Sequence, residues 1–264
     1  MAKLHLDKYY TPQPLADYCT QKAIEVIGIE NITELVESSA GNGVFLNSFE
    51  KLLPNISYQA YDIEPEDDRI VKQDYLELEM EYKKGRIVIG NPPFGRNTLV
   101  LQFLSKDVDM CDYIAYILPI SQLNNNYNFY KYDLISSEIL PEIEYSGKIV
   151  KCCFNIYKKP IIKKSKPNYK LKDVELFEYR RNERDVPSLN YDYIICSYGD
   201  IGKELNSIGS CVKEICFKIN NHKDKVLDVL NKVNWKLIVP PTTTPSLPQW
   251  QVYKYLKEQI PELE

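Results

Sequence analysis

The chain opens on a segment, TPQPLADYCTQKAIEVIG, in which Leu15, Cys19, Ala23 and Val26 recur at helical spacing. Apolar residues every three or four positions make one face of a helix. Prolines are tolerated in its first turn and a glycine closes it, as Pro12, Pro14 and Gly28 would do here. Short apolar runs then alternate with amphipathic stretches. ITELVE (32–37) predicts a buried strand, VFLNSFEKLL a helix ending before Pro54, and ISYQAYDI (56–63) a second strand. DRIVKQDYL predicts a third strand, GRIVIG (85–90) a fourth and CDYIAYILPI (111–120) a fifth. Strands separated by helical stretches fold into a mostly parallel, doubly wound α/β sheet with helices on its faces.

Further along, NNNYNFYKYD is polar and aromatic, LISSEIL reads as a helix, and KIVKCCFNIYKKP (148–160) reads as one strand closed by Pro160. IIKKSKPNYK (161–170) has the composition of a linker. Beyond it, YDYIICSYG and VKEICFKI predict short strands, HKDKVLDVLNKV a helix, NWKLIVPP a strand, and a last helix starts near Pro248. The expected organisation is a main domain over 1–160 and a small α/β appendage over 161–264. The chain contains no internal repeat.

Composition narrows the function classes. At 264 residues and 44% hydrophobic, the chain can bury a sizeable core. No stretch approaches the roughly 20 apolar residues of a membrane span, and the N-terminus lacks a signal-peptide core, so a cytoplasmic protein without membrane partners is expected. Seven scattered cysteines with no C-x-x-C pair read as reduced, buried thiols, and the adjacent Cys152 and Cys153 should face opposite sides of a strand. Two histidines leave little material for zinc or triad chemistry, so no metal is expected. The net charge of −4 hides an asymmetry: residues 1–147 hold 12 basic against 23 acidic side chains, whereas 148–184 hold 12 against 4. That basic stretch is either where a polyanion meets the protein or a solvated lysine-rich loop.

ELVESSAGNGVFL places a glycine-bearing turn between a strand and a helix. Gly41 and Gly43 let the backbone pass close to a ligand, and the helix N-terminus offers N–H groups to it. The turn fits any doubly wound protein, although the absence of a following Gly-Lys-Ser/Thr excludes a phosphate-binding P-loop. Asp62, about 20 residues on, stands at a strand end where an acidic side chain takes ribose hydroxyls. Asp74 ends the next strand, with Tyr75 beside it. RIVIGNPPFG (86–95) then follows an apolar strand with Gly90, an amide, two prolines and an aromatic. In open α/β sheets, ligands bind at the carboxyl ends of strands, and these residues fall there in order.

The set YYTPQPLADY, VESSAGNGVFL, AYDIEP, KQDYLEL and IVIGNPPFG, over roughly residues 9–160, resembles the S-adenosylmethionine-dependent amino-group DNA methyltransferases. It is most similar to the adenine-N6 type with Asn-Pro-Pro-Phe. It departs at Ser38, where many of those enzymes carry a proline after the glutamate. The resemblance implies a Rossmann-like methyltransferase sheet, S-adenosylmethionine as cofactor and DNA as partner, with RNA less favoured. It also implies residue roles. Tyr10 and Thr11, with the turn of Ser39, Ala40, Gly41 and Gly43, would surround the methionine end of the cofactor, and Glu37 would orient its ammonium. Asp62 would hold the ribose, Ile63 would lie against the adenine, and Asp74 would accept from its N6 beside Tyr75. Asn91 and the Pro92 carbonyl would accept the two hydrogens of the target amine, Pro93 would help fix them, and Phe94 would stack a base swung out of its helix.

Two more segments are open at this stage. Tyr127, Phe129, Tyr130 and Tyr132 with Lys131 either stack bases or pack on their neighbours. Gln249 and Gln251 near the last helix either read adenine or join Ser246, Trp250 and Tyr253 in capping and packing. The Asn-Pro-Pro-aromatic motif also occurs in RNA adenine-N6 methyltransferases and in enzymes that methylate a glutamine amide. A non-catalytic nucleic-acid-binding module with the same fold is the remaining alternative. A short recognition site, or a second subunit or dimer, would follow from the small appendage. Membership of a restriction-modification system is left open.

Overall fold

In the computed structural model the opening pattern forms helix α1 (Gln13–Ile27), with Pro12 at its N-cap and Gly28 closing it at φ 84°. Residues 10–94, 98–145, 148–181, 190–242 and 245–264 are described. Tyr9, Thr243, Thr244 and the end of the basic stretch at 182–184 lie outside them. The chain divides into two units between Lys166 and Pro167.

The first unit is built on strands β1 (Glu34–Glu37), β2 (Tyr58–Asp62), β3 (Val71–Lys72), β4 (Arg86–Gly90) and β5 (Tyr113–Pro119). Helix α2 (Val44–Leu52) follows β1, and α3 (Thr98–Asp107) precedes β5. Two later strands, β6 (Asp133–Ile139) and β9 (Cys152–Lys158), complete a seven-stranded sheet of order β3-β2-β1-β4-β5-β9-β6. The first five strands are parallel, and β9 runs antiparallel between β5 and β6. This is the doubly wound, mostly parallel Rossmann-like class that the alternating pattern predicts.

Alternation along the central strands assigns each side chain to a face. Leu35, Ile87, Ile89, Ala115, Ile117, Cys152 and Phe154 pack with Leu15, Cys19, Ala23, Phe45 and Phe49 of α1 and α2. Val36, Val88, Ile114, Tyr116, Leu118, Cys153 and Tyr157 face the other way, onto Val100, Phe103 and Leu104 of α3. Cys152 and Cys153 thus divide between the two cores, as residues on a strand must. All seven cysteines are free thiols. Phe129 and Tyr132 are buried in the α3-side core, so these two rings pack rather than offer a stacking surface.

Three local expectations are corrected. LISSEIL is strand β6, not a helix, because β9 offers it a free edge, and pairing across the sheet overrides a short local pattern. The run 148–158 is two strands broken at Lys151. Its first part, β8 (Lys148–Val150), leaves the sheet to pair with β7 (Ile143–Tyr145) as a separate hairpin. The predicted strand in NWKLIVPP is a 3-10 turn, Trp235–Leu237, where Asn234 accepts from Lys236 N at 3.2 Å and Trp235 is driven into the core.

The second unit is a three-stranded antiparallel sheet, β10 (Val174–Arg180), β12 (Lys213–Ile219) and β11 (Tyr193–Cys196), with α4 (Lys223–Lys232) and α5 (Gln249–Gln259). β10 went unread in the sequence because it lies inside the basic stretch. Its Leu176 is gripped from α5: Leu176 N donates to the Tyr253 hydroxyl at 3.0 Å and Gln249 Nε2 donates to Leu176 O at 3.3 Å. Gln249 and Tyr253 therefore tie helix to sheet. No helix among the described residues is long and apolar enough to cross a membrane.

Candidate active site

The site forms where the carboxyl ends of β1, β2 and β4 meet, the place where the sheet order reverses direction. After β1 the chain turns sharply: Gly43 N donates to Ala40 O at 2.8 Å, and Gly41 and Gly43 take left-handed conformations at φ 52° and 76°. The loop after β2 is fastened to this turn. The Asp62 carboxylate accepts from Gly41 N and Glu64 N, both at 2.8 Å, and Glu66 N donates to Gly41 O at 2.9 Å. Two backbone donors thus hold Asp62 at the strand end. Asp74 is held likewise by Leu76 N at 2.9 Å.

Asn91 is fixed from three sides. Its Nδ2 donates to Thr11 Oγ1 at 3.1 Å, its carbonyl accepts from Ser39 Oγ at 3.2 Å, and its backbone N–H donates to the Glu37 carboxylate. Thr11 is buried one residue before the proline that starts α1. The N-terminal Thr-Pro and the Asn-Pro-Pro-Phe segment, 80 residues apart, therefore meet in one hydrogen bond. Glu37 is fully buried, and burial, with Asp62 nearby, pushes its carboxyl well above the usual range. Its second oxygen has no hydrogen-bond partner among the described residues. Gly90 is required beside it, since a Cβ there would lie 2.3 Å from Glu37 Oε1.

These elements enclose a cavity of about 330 Å³, within the range of small-molecule sites. Of the residues expected from sequence, Tyr10, Ser39, Gly41, Asp62, Ile63, Asp74, Tyr75, Asn91, Pro92 and Pro93 line it. Tyr10 also donates to Glu66 Oε1 at 2.5 Å. Thr11, Glu37 and Ala40 stand behind this lining and position it. Gly43 does not face the cavity: a Cβ there would meet Asp67 Oδ2 at 2.8 Å, so its glycine serves the closure of the 62–69 loop. Phe94 is half-buried and packs on the α1/α2-side core rather than lining the cavity. Tyr75 is almost wholly buried where it meets the cavity. Its ring is stacked on Phe103 at 5.7 Å and its hydroxyl donates to the buried Asp107 at 2.7 Å, so its faces belong to the core.

Sequence reasoning missed Ser38, Glu64, Gln73, Leu76, Leu99 and Phe103, which also line the cavity. Ser38, Glu64 and Gln73 adjoin recognised strand ends, and extending each motif by one residue would have found them. Leu99 and Phe103 lie on α3, which the strand-based reading passed over. Among the described residues, the lining carries Asp62, Glu64 and Asp74 but no lysine or arginine. Those carboxylates suit a ligand with hydroxyls and cationic groups.

The basic stretch is not a rim of this cavity along its middle part. Lys158 pairs across the sheet with Tyr113 and Asp133, the first residues of β5 and β6, so it lies at the strands' amino ends. Seven residues of β5 separate that edge from the carboxyl end, about 20 Å. The neighbouring lysines have local partners: Lys159 sits 4.0 Å above the Tyr82 ring and Lys164 pairs with Asp133.

No known family model matches the chain, and no curated protein is similar to it in sequence. Solved structures do share its backbone arrangement. A candidate RNA methyltransferase from Pyrococcus horikoshii is 19% identical over 61% of this chain and 92% of its own, with a TM-score of 0.47. A candidate class I S-adenosylmethionine-dependent methyltransferase from Listeria monocytogenes is 13% identical, covering 63% and 66%, at 0.47. The METTL16 methyltransferase domain is 13% identical, covering 56% and 69%, at 0.42. Residue roles in this chain rest on its own geometry.

Proposed function

We propose that this chain is an S-adenosylmethionine-dependent methyltransferase acting on a planar amino group, with adenine N6 in DNA as its target. The observation that carries the reading is Asn91, its side-chain amide held by Thr11 and its backbone by Ser39 and Glu37, in the lining of a cavity whose described residues include carboxylates and no basic side chain. The cavity's chemistry fits the cofactor: an orphaned, buried Glu37 oxygen and the acidic lining await hydroxyls and positive charge. When bound, the cofactor supplies an electrophilic methyl group on a sulfonium.

Each residue then has a physical task. Asp62, already oriented by two backbone donors, accepts from ribose hydroxyls. Ile63, 40% exposed, offers an apolar face to the adenine, and Asp74 accepts from its amino group. Glu37 works from behind the lining, where it would help orient the ammonium. The target amine is a weak nucleophile because its lone pair is delocalised into the ring. Acceptors at Asn91 and Pro92 take its hydrogens and stabilise the positive charge that develops on nitrogen, without having to reorient during the reaction. Pro92 and Pro93 keep that segment rigid, and the half-buried Phe94 that follows them is the ring assigned to a base turned out of its stack.

The test offers cofactor with a labelled methyl group to unmethylated genomic DNA, total RNA and a protein extract separately, then hydrolyses the products. Label in N6-methyladenine from DNA is the expected result. Label only in RNA or in glutamine would keep the site and replace the substrate. Cofactor binding without any label would make the protein a non-catalytic module.

A further inference from the structure

Behind the cavity runs a buried hydrogen-bonded chain that the roles above do not use. Asp107, the last residue of α3, is fully buried. Its two carboxylate oxygens accept from the hydroxyls of Tyr75 at 2.7 Å and Tyr116 at 2.8 Å. Tyr116 is itself 3.0 Å from the Ser38 hydroxyl, and Ser38 lines the cavity. The chain therefore reads Asp107–Tyr116–Ser38–cavity.

Hydrogen positions along such a chain are not independent. With Asp107 ionised, both tyrosines must donate to it. The Tyr116 oxygen is then left as an acceptor, the Ser38 hydrogen points at it, and a Ser38 lone pair faces the cavity. Suppose a proton arrives at Ser38 from the cavity. The old Ser38 hydrogen passes to Tyr116 and the old Tyr116 hydrogen passes to Asp107. The acid becomes neutral, Tyr116 donates to Ser38, and the new Ser38 hydrogen faces the cavity. One proton is taken up, no electrons move, and the polarity of one lining group is reversed.

We propose that Asp107 is a positioning residue that acts through Tyr116 to set whether Ser38 accepts from or donates to the ligand in the cavity. The inference rests on the reading above only for the ligand's identity, because a cationic or N–H-bearing end beside Ser38 prefers the acceptor state. Burial pushes the Asp107 carboxyl up to about 7, against its hydrogen bonds from the two tyrosines, so both states are populated near neutrality. The groups facing Asp107 are Tyr75 from the segment after β3, Tyr116 from β5, Cys111 and Tyr132 from the flanking loops, and Lys106 from α3 itself. Cys111 and Tyr132 are pushed up by burial, so they stay neutral over this range. Lys106 donates its ammonium to the carbonyls of Leu76 and Leu78 rather than to the carboxylate.

The experiment has two readouts on the full chain. The first follows the Asp107 side-chain carboxyl by carbon-13 NMR between pH 5.5 and 8.5, assigned with Asp107→Asn. The second is calorimetric titration with S-adenosylhomocysteine over the same range for the wild type, Asp107→Asn, Tyr116→Phe and Ser38→Ala. Asp107 should titrate near neutrality. Wild-type affinity should fall about three- to tenfold further from pH 8 to pH 6 than that of the three variants, the worth of one hydrogen bond, with any slope from Glu37 common to all four forms. Ser38→Ala keeps the test alive if Asp107→Asn does not fold. Binding by Tyr116→Phe and Ser38→Ala with the wild-type pH dependence would overturn the relay, as would an Asp107 carboxyl that does not titrate. Suppose no form binds S-adenosylhomocysteine, yet Asp107 titrates and its midpoint moves in Ser38→Ala. The relay then stands and the cofactor reading falls.

Discussion

Asp107→Asn should remove one pH-dependent contribution to stability. In the native chain burial raises the Asp107 carboxyl from an ordinary 3.8 to about 7, so the folded state holds a proton that the unfolded state releases. Stability contributed by the neutral acid is complete below pH 3.8, declines as pH rises, and is lost once the native carboxyl has ionised above about 7. At 1.36 kcal/mol for each unit, the whole window is worth about 4 kcal/mol, of which about 2 falls between pH 5 and 7. Asparagine is nearly isosteric and carries no proton to lose. Its amide meets two tyrosine hydroxyls with one acceptor and one donor, an offset of about 1–3 kcal/mol that does not vary with pH. The variant should therefore lose ground to the wild type at pH 5 and gain on it by pH 8. Glu37, a second buried acid shifted the same way, adds its slope to both proteins and cancels in the difference. Urea unfolding at four pH values from 5 to 8 measures this. Trp235 and Trp250 both belong to the unit beyond Lys166, so the unit carrying Asp107 is followed by far-ultraviolet circular dichroism rather than tryptophan emission. A constant difference between the two proteins across that range would refute the assignment of a raised, stability-linked Asp107.

Three further outcomes are expected. Gly90→Ala puts a methyl group 2.3 Å from Oε1 of the buried Glu37, so something must shift, and should lower stability by about 1–3 kcal/mol in thermal unfolding; an unchanged transition would mean that Glu37 swings aside freely. Asp62→Asn leaves one acceptor for two backbone donors and weakens the ribose contact, so S-adenosylhomocysteine affinity should drop roughly tenfold or more by calorimetry, and equal affinity would remove Asp62 from the site. Tyr253→Phe strips the buried Leu176 N–H of its acceptor and should destabilise the second unit by about 1–3 kcal/mol, read by tryptophan emission in urea, with no change expected if water reaches that edge.

What the sequence determined was local. Period-two alternation along RIVIG and CDYIAYILP placed their residues on two faces, and the Pro-start, Gly-end punctuation of α1 fixed its bounds, because both follow from backbone sterics within a few residues. The glycine turn, Asp62, Asp74 and Asn-Pro-Pro were legible for the same reason, since strand ends bind ligands and these residues sit at strand ends. What the tertiary structure decided was every matter of pairing partner and strand direction. LISSEIL became a strand because β9 needed an edge partner, and the middle lysines of the basic stretch fell at the far edge because β9 runs antiparallel to β5. The Tyr75 hydroxyl was tied to a carboxylate 32 residues away, and Thr11 was brought to Asn91 across 80 residues. Such contacts depend on which segments collapse together, and no window of neighbouring residues encodes them.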